Sequence, residues 1–286
     1  MNTKEIIMEV GIMLTIGNEI ASFDEQLATL VEIGVKRTFI TARHPRHAEV
    51  MQKILDAGLI CDNYHASVRG EKNGVVFEMK HFRFDGIEGD YMLELLLENI
   101  DNCAKYGIPV LVVHGAGGKP EEEWPDVYYQ RTRKLLDHAK KKGVTIAFEN
   151  LGNAQNLFQI FEKFPEASFC WDCGHQNCNS PETRYMQTLG NKVVALHIHD
   201  NSCEYRKDLH MIPYDSKIDF DEVAYDIAKS GYDGTMMLEI MYGREGSVGG
   251  GYADRMSYKE YATRARDAAN RIIERVEFFK KELENK

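Results

Sequence analysis

Histidines and carboxylates recur along this chain at the ends of short apolar runs. The residues in these positions are His65, His114, Glu149, Asp172 with His175 just beyond it, His197 and His199, and Glu239. An unpaired carboxylate is costly to bury in an apolar environment, so several of them at one place require compensating positive charge. Because no Lys or Arg ends these runs, a divalent metal ion is the economical compensation.

Four of these residues are the candidate ligands of the metal ion, namely Glu149, Asp172, His197 and Glu239. Three carboxylates and one imidazole suit Mn²⁺, Mg²⁺ or Co²⁺ and also accept Zn²⁺, so we expect one divalent metal ion of this group as the cofactor. His197 and His199 stand two residues apart and face the same side of a strand. The spacing alone therefore leaves open which of the two histidines is the ligand.

The elements that must position these groups alternate between strands and helices along the whole chain. The predicted strands are Val10–Leu14, Thr38–Thr41, Leu59–His65, Pro109–His114, Val144–Glu149, Ser168–Asp172, Val193–His199 and Thr235–Ile240. The helices predicted from apolar periodicity are Phe23–Ile33, Ala48–Ala57, Tyr91–Tyr106, Val127–Lys142, Leu157–Phe164, Phe220–Lys229 and Tyr258–Leu283. Units of this kind and total length are typical of a (β/α)₈ TIM barrel, an α/β fold with a single domain over residues 1–286. In such a barrel the carboxyl ends of the strands meet at one mouth, where the candidate groups would converge.

A doubly wound open sheet is the rival arrangement, but it should carry a glycine-rich phosphate loop after its first strand. Gly11 and Gly17 do not form that pattern, so the barrel is favoured. Two segments stand out as loops: Val68–Gly89 is long and mixed in charge, and Tyr242–Tyr252 is rich in glycine. We interpret the second loop as a mobile connector or a lid.

The composition narrows the classes of function. A net charge of −10 and a pI near 5.5 argue against nucleic acid as the main ligand, because phosphate binding draws on a surplus of Lys and Arg. No apolar run approaches the ~20 residues of a membrane span, and Met1–Val10 lacks the layout of a signal peptide. With scattered cysteines and no sign of secretion, we expect a cytoplasmic protein with reduced thiols and no membrane partner. A homodimer with Val68–Gly89 near its interface is an open hypothesis.

Five segments resemble the xylose isomerase-like TIM-barrel superfamily, the group of sugar isomerases and epimerases related to D-tagatose 3-epimerase. They are Val112-Val113-His114-Gly115, Ala147-Phe148-Glu149-Asn150, Trp171-Asp172-Cys173-Gly174-His175, Leu196-His197-Ile198-His199-Asp200 and Leu238-Glu239. In order and spacing they cover nearly the whole chain. The resemblance implies the same four metal ligands as above, and it favours His197 over His199.

The resemblance also implies an activity on a small sugar or sugar phosphate. A ketose or aldose would bind the metal ion through its carbonyl and a neighbouring hydroxyl, and the metal ion would stabilise the enediolate that forms when the α proton leaves. Glu149 and Glu239 would remove and return this proton from opposite faces of the substrate. The candidate substrate-binding residues are His175, His114, His65, His199, Arg206 and His210. The choice between epimerisation and aldose–ketose isomerisation stays open.

A runner-up function comes from the endonuclease IV-like DNA repair enzymes of the same superfamily, which bind three zinc ions. Their remaining ligand positions are also filled here, by His65, His114 and Asp208-Leu209-His210. A zinc-dependent phosphodiesterase that cleaves abasic DNA is therefore the alternative, although the acidic balance and the lack of an Arg-rich loop argue against DNA. A barrel that only binds a sugar is a third hypothesis. Loss of one base carboxylate would indicate it, and both Glu149 and Glu239 are present.

Overall fold

Eight parallel strands form the centre of the computed structural model, which describes residues 8–42, 47–115, 117 and 124–285. The strands of the described chain, including two outside the barrel, are β1 (Val10–Ile12), β2 (Arg37–Thr41), β3 (Ile60–His65), β4 (Arg69–Lys72), β5 (Val75–Glu78), β6 (Val110–Val113), β7 (Thr145–Glu149), β8 (Ser168–Asp172), β9 (Val193–His197) and β10 (Met236–Leu238). All except β4 and β5 lie in one sheet, in the order β10-β1-β2-β3-β6-β7-β8-β9. A parallel bridge between Ile198 and Leu238 joins the two ends of this sheet, which therefore curls into a nearly closed barrel.

Helices lie between the strands of the barrel. They are α1 (Phe23–Glu32), α2 (His47–Asp56), α3 (Ile87–Tyr106), α4 (Asp126–Lys142), α5 (Ala154–Lys163), α6 (Cys173–Asn179), α7 (Tyr185–Leu189), α8 (Phe220–Ser230) and α9 (Tyr258–Glu284), with short 3-10 helices at Met79–Arg83, Gly190–Lys192 and Tyr252–Asp254. The start of α9 is fixed by a capping box between Ser257 and Glu260. None of the helices in the described ranges has the length and apolar character needed to cross a membrane.

The inside of the barrel is filled by apolar side chains. Val110, Val112, Ala147, Cys170 and Ala195 form one buried cluster, contributed by the neighbouring strands β6, β7, β8 and β9. A packed layer of this kind is usual inside a TIM barrel and leaves little room for polar groups between the strands. The buried polar side chains of Glu149, Asp172 and His197 lie above this layer, at the carboxyl ends of their strands.

The structure confirms the predicted (β/α)₈ TIM barrel of the α/β class. Each of the eight predicted strands overlaps an observed strand, and each of the seven predicted helices overlaps an observed helix. The helices α6 and α7 are absent from the sequence-based prediction. They span seven and five residues, too few to display a helical period in the sequence.

The prediction of a plain loop over Val68–Gly89 is wrong in part. The strands β4 and β5 form an antiparallel hairpin there, and α3 already begins at Ile87. The hairpin turns at Asn73 and Gly74, whose φ angles of 53° and 76° fit the two-residue turns that Asn-Gly favours. The sequence does not indicate these two strands, because each has four residues and β4, Arg69–Lys72, is almost entirely polar.

Candidate metal centre

Three neighbouring strands deliver candidate ligands to the mouth of the barrel. The last residue of β7 is Glu149, that of β8 is Asp172 and that of β9 is His197. The parallel register places Asp172 beside His197, and all three side chains are fully buried. Apolar residues precede each of them and pack into the barrel wall, so the first polar side chain of each run appears where the strand reaches the mouth.

The four predicted metal ligands lie together. The Nδ1 atom of His197 is 3.0 Å from Oε1 of Glu149 and 3.1 Å from Oε2 of Glu239. With a carboxylate oxygen of Asp172, these side chains offer four possible ligand atoms within 4.8 Å of one another. The ring of Phe39 stacks on the His197 imidazole at a centroid distance of 4.7 Å and limits its rotation.

Two more histidines contact the carboxylate of Glu149. The Nε2 atom of His114 is 2.8 Å from Oε2 of Glu149, and the Nε2 atom of His65 is 3.4 Å from the same oxygen. The two imidazole nitrogens are 2.9 Å apart. Since Oε1 of Glu149 faces His197, this carboxylate joins the pair of histidines to the group of four described above.

A third group lies beside the first two and involves the segment between β9 and α8. The Oδ2 atom of Asp208 is 2.9 Å from Nε2 of His210 and 3.1 Å from Nε2 of His175. His175 belongs to α6, and its backbone N–H donates to Oδ1 of Asp172 at 2.6 Å, which makes Asp172 the N-cap of this helix. Asp172 thereby fixes His175 in place and connects the third group to the strand ends.

His199 faces other neighbours than His197, although only one residue separates them. Its Nε2 atom is 3.2 Å from Oδ1 of Asp172 and 3.6 Å from Oδ1 of Asp208. Its ring stacks on that of His210 at a centroid distance of 4.2 Å. The geometry therefore groups His197 with the two glutamates and places His199 beside the two aspartates, with Glu239 also within 4.8 Å of it. That His197 is the metal ligand stays a prediction, and this arrangement supports it.

The electrostatic interactions among these groups favour ionised carboxylates. Burial raises the pKa of the Glu149 carboxyl. The imidazoles of His197 and His114 lower the pKa by more than burial raises it, so that it falls well below the ordinary value. Burial lowers the pKa of His210, but the hydrogen bond to Asp208 and neighbouring negative charge raise it to about 9. A centre of ionised carboxylates is ready to accept a cation without first losing protons from its acids.

Several buried polar atoms of the centre lack a hydrogen-bond partner among the described residues, as expected of atoms that could bind a metal ion. Oε2 of Glu239, Oδ1 of Asp208 and Nδ1 of His199 are buried and make no hydrogen bond of acceptable geometry within the described part of the chain. Buried polar atoms seldom remain without a partner. Among the described residues that line the cavity above them there is no Lys or Arg, so imidazoles are the only side chains there that can balance the carboxylates. The donor set of carboxylates and imidazoles suits a divalent cation.

A cavity of about 310 Å³ opens over the centre, a size that suits a small ligand. Its polar lining consists of His65, His114, His175, Asp208, His210 and Glu239, with Thr15 and Thr41. The rest of its lining is apolar and consists of Met13, Leu14, Ile16 and Met241. A ligand in this cavity would therefore meet both hydrogen-bonding and apolar surface.

The segment 200–219, which carries Asp208 and His210, has an unusual backbone. The residues with positive φ in it are Cys203, Arg206, His210 and Tyr214, with values of 56°, 60°, 47° and 71°. None of them is glycine, and left-handed backbone is unfavourable for residues with a side chain. Strain of this kind persists only where surrounding contacts hold it, and it often accompanies functional sites.

Hydrogen bonds hold the segment 200–219 in this shape. The buried carboxylate of Asp200 accepts from the backbone N–H groups of Ser216 at 2.7 Å and Ile218 at 3.0 Å. From the glycine-rich segment, the N–H of Gly249 donates to the carbonyl of Leu209 at 2.8 Å. The glycine-rich segment is thus tied by its backbone to the residues that present the third group.

Four of the six predicted substrate-binding residues line the cavity: His65, His114, His175 and His210. His199 is fully buried and is not part of the lining. Arg206 is exposed, with its guanidinium over the ring of Tyr205 at 5.1 Å, and does not line the cavity either. The substrate contacts of all six residues stay predictions.

Two residues at the centre are not among the candidates that the sequence suggested for the sugar reaction. Asp208 enters the sequence analysis only through the repair-enzyme alternative, and its Asp-x-His spacing to His210 is the signal that points to it. Asn150 follows Glu149 directly and joins the ends of β7 and β8, because its Nδ2 donates to the carbonyl of Asp172 at 2.7 Å and its Oδ1 accepts from the N–H of Asp172 at 2.8 Å. Its position beside a strand-end carboxylate is the available sequence signal.

Residues 81–274 match the family model described as xylose isomerase-like TIM barrel. This chain belongs to that family. The matched range contains the four predicted metal ligands and the third group around Asp208, and it begins after His65.

Comparisons with individual proteins support the fold of this family member. An uncharacterised protein of Sinorhizobium fredii, y4fM, is 29% identical over 158 residues, which are 49% of this chain and 50% of that protein. The chain spans about half the length of the curated relatives it matches. A solved L-ribulose 3-epimerase has a TM-score of 0.71 at 15% identity over 96% of this chain and 97% of its own. A D-tagatose 3-epimerase-like protein has a TM-score of 0.69 at 17% identity over 96% of this chain and 100% of its own.

Proposed function

We propose that this protein is a divalent-metal-dependent sugar isomerase or epimerase that transfers a proton at the carbon next to the substrate carbonyl, through an enediolate. The observation that carries the proposal is the group of Glu149, Asp172, His197 and Glu239 beneath a cavity of about 310 Å³. Membership of the xylose isomerase-like family and the likeness to solved structures named as sugar epimerases support it. We propose one metal ion of the Mn²⁺, Zn²⁺, Co²⁺ or Mg²⁺ type.

Glu149, Asp172, His197 and Glu239 would hold the metal ion. When bound, such an ion polarises a carbonyl oxygen and stabilises the negative charge that develops as the neighbouring proton leaves. Glu239 lines the cavity, and Glu149, which is fully buried beneath it, contacts the same nitrogen of His197 from another strand end. In our proposal one of them removes the proton and the other returns it.

The other side chains of the cavity would bind and orient the sugar. His65, His114, His175 and His210 present ring nitrogens that can donate to or accept from hydroxyl groups. The apolar lining, which includes Met13 and Met241, would cover the C–H faces of the sugar and exclude water from the carbon that loses its proton.

The test is deuterium wash-in from D₂O over a panel of ketoses, aldoses and their phosphates, with the protein loaded with each of the four metal ions in turn. Wild-type protein should place deuterium on the carbon next to the carbonyl of one substrate class. Glu149→Gln and Glu239→Gln should each abolish the exchange and leave the circular dichroism spectrum unchanged. The exposed Glu182→Gln is the matched control and should exchange normally. Retained exchange in both cavity variants would show that the two-glutamate mechanism is wrong.

Phosphodiester cleavage is the second candidate function, and one observation favours it. Three groups of possible ligands adjoin one another: His65, His114 and Glu149, then the four residues proposed above, then His175, Asp208 and His210. Adjacent metal ions are suited to the displacement at a phosphate. Elemental analysis of the purified protein separates the candidates, because two or three zinc ions per chain together with cleavage of abasic DNA would favour the phosphodiesterase. One ion per chain and no cleavage would favour the isomerase.

A further inference from the structure

A second cavity adjoins the one over the candidate metal centre. Its volume is about 180 Å³, and His114 lines both cavities. In the described part of its lining, the polar side chains are those of Lys80, Arg83 and His114, and the apolar ones include Met79 and Leu151. A substituent of a molecule bound at the metal centre would therefore enter this cavity beside His114.

The two cavities differ in the charge of their walls. The larger one is lined by the carboxylates of Asp208 and Glu239, with no Lys or Arg among the described residues around it. The smaller one is lined by the cations of Lys80 and Arg83, with no Asp or Glu among those of its lining residues that the structure describes. The chain as a whole has a net charge of −10. Two cationic side chains at one small cavity of such a protein favour an anionic group there.

Arg83 is buried, and its neighbours fix its position. The residue is only 7% exposed, and its guanidinium lies over the ring of Trp124 at 5.2 Å. The guanidinium of Arg131 donates to the backbone carbonyls on either side of it, those of Phe82 at 3.0 Å and Phe84 at 2.7 Å. A guanidinium carries five N–H donors in a rigid fork and can serve several partners at once. An anion in the cavity would therefore add to the interactions that Arg83 already makes.

Lys80 supplies a second and more exposed charge. Its ammonium is 2.6 Å from a carboxylate oxygen of Glu78, and both side chains are exposed. Exposed ion pairs of this kind contribute little free energy, so the ammonium can turn towards an anion in the cavity at small cost. The cavity thus combines one rigid cation with one adjustable cation.

We propose that this cavity binds an anionic group of the sugar that reacts at the metal centre, and that Arg83 and Lys80 select anionic sugars over neutral ones. The carbonyl of the sugar would lie at the metal ligands and its anionic group beside Arg83. The guanidinium fork suits both phosphate and carboxylate, so the substrate is a sugar phosphate or a sugar acid. The inference rests on the proposed function and extends it to the class of substrate.

The test is isothermal titration calorimetry of the metal-loaded protein with pentose and hexose phosphates, sugar acids and the neutral sugar that corresponds to each. We expect one anionic class to bind about 10- to 100-fold more tightly than its neutral counterpart, because hydrogen bonds to a charged group contribute this much. The class that binds identifies the group as phosphate or carboxylate. Equal binding of anionic and neutral sugars would overturn the inference.

Variants of the two cations locate the bound anion. Arg83→Gln should weaken binding of the anionic sugar about 10- to 100-fold and leave the neutral sugar unchanged, and Arg83→Lys should recover part of the loss. Lys80→Met should weaken it about two- to fivefold. The matched control is Lys72→Met, since Lys72 is an exposed lysine that pairs with Glu94 and does not line the cavity. It should bind as wild type does.

Thermal melting checks the fold of the Arg83 variants, and the exposed Lys80→Met keeps the test decisive if a change at the buried position unfolds the protein. Removal of the metal ion supplies a further control. An anionic sugar that binds equally well to wild type, Arg83→Gln and Lys80→Met, and is lost with the metal ion, would place its anionic group on the ion and overturn the inference.

Deuterium wash-in separates this inference from the proposed function. Binding that depends on Arg83, without exchange in any sugar, would contradict the isomerase and leave the anion site standing. Exchange confined to neutral sugars, at the same rate in wild type and Arg83→Gln, would leave the isomerase standing and overturn the anion site.

Discussion

The candidate centre is built from two regions that are supported in different ways. Glu149, Asp172 and His197 are the last residues of adjacent strands, and the pairing of the barrel fixes where each one lies. Asp208 and His210 instead lie on the segment 200–219, whose backbone takes left-handed conformations at residues that are not glycine. Candidate ligands on the strands are therefore fixed by the fold as a whole, and those on the loop by a local network of hydrogen bonds. We expect that a change in the loop alters its candidate ligands without disturbing the barrel.

The largest expected effect is on metal binding, and it differs between Asp172 on the strand ends and Asp208 on the loop. Asp172→Asn should weaken binding of the metal ion by more than about 100-fold, since it removes a proposed direct ligand. Asp208→Asn should weaken it less than about tenfold, because the proposed single ion is held by the strand-end group. Dissociation constants from chelator competition measure both effects. Equal losses of metal affinity in the two variants would indicate that Asp208 also binds metal directly, and would favour the multi-zinc phosphodiesterase.

Removal of the metal ion should affect both regions, but unequally. Binding at a free ion concentration 100 times the dissociation constant stabilises the folded state by about 2.7 kcal/mol, so chelation should lower the melting temperature. We expect amide hydrogen exchange to increase most in the segment 200–219 and least in β7, β8 and β9. An equal increase in both regions would show that the barrel ends, too, depend on the ion for their order.

A smaller effect concerns the anchor of the loop. Asp200→Asn should lower the free energy of unfolding by about 1–3 kcal/mol, because an amide replaces a buried carboxylate that accepts from the backbone at Ser216 and Ile218. Asp219→Asn is the matched control, since Asp219 caps α8 and Asn is an equally good N-cap residue. Urea denaturation measures both variants. Similar stabilities for the two variants would show that the Asp200 carboxylate is not needed to hold the loop.

The smallest effect tests the backbone strain itself. Arg206 is exposed and has a φ of 60°, so Arg206→Gly should raise the free energy of unfolding by up to about 1 kcal/mol, the left-handed penalty less the entropy cost of glycine. Arg206→Ala keeps the penalty and should show no such gain. The same pair of variants examines the predicted substrate contact, because that role requires both to raise KM in the wash-in assay. Unchanged KM in both would withdraw Arg206 from the substrate-binding residues.

The sequence is most informative where local pattern and fold agree. Apolar runs that end in His65, Glu149 or Asp172 predict both a strand and a polar group at its carboxyl end, and the structure places these side chains at the mouth of the barrel. The alternation of strands with helices was enough to predict the barrel. Convergence of the ligands then follows from the geometry common to all such barrels.

The remaining features depend on contacts between distant residues. Nothing in the local sequence indicates that Arg206 and Tyr214 adopt positive φ, since these conformations are imposed by the surrounding contacts of the segment. The difference between His197 and His199 likewise arises from their neighbours, Glu149 for one and Asp208 for the other. The hairpin of β4 and β5 packs against α3 and shows no alternating pattern in its polar first strand.

The close approach of Gly174 to His199 limits which substitutions related proteins can accept at these two positions. A Cβ atom at position 174 would lie 1.9 Å from Cε1 of the His199 ring, so no larger residue fits while the imidazole remains. A larger residue at position 174 therefore requires a change at position 199, 25 residues further along the chain. Among proteins that share this barrel, glycine at the first position accompanied by histidine at the second would mark those that inherited the same centre. A side chain at the first would indicate that the second holds a residue other than histidine.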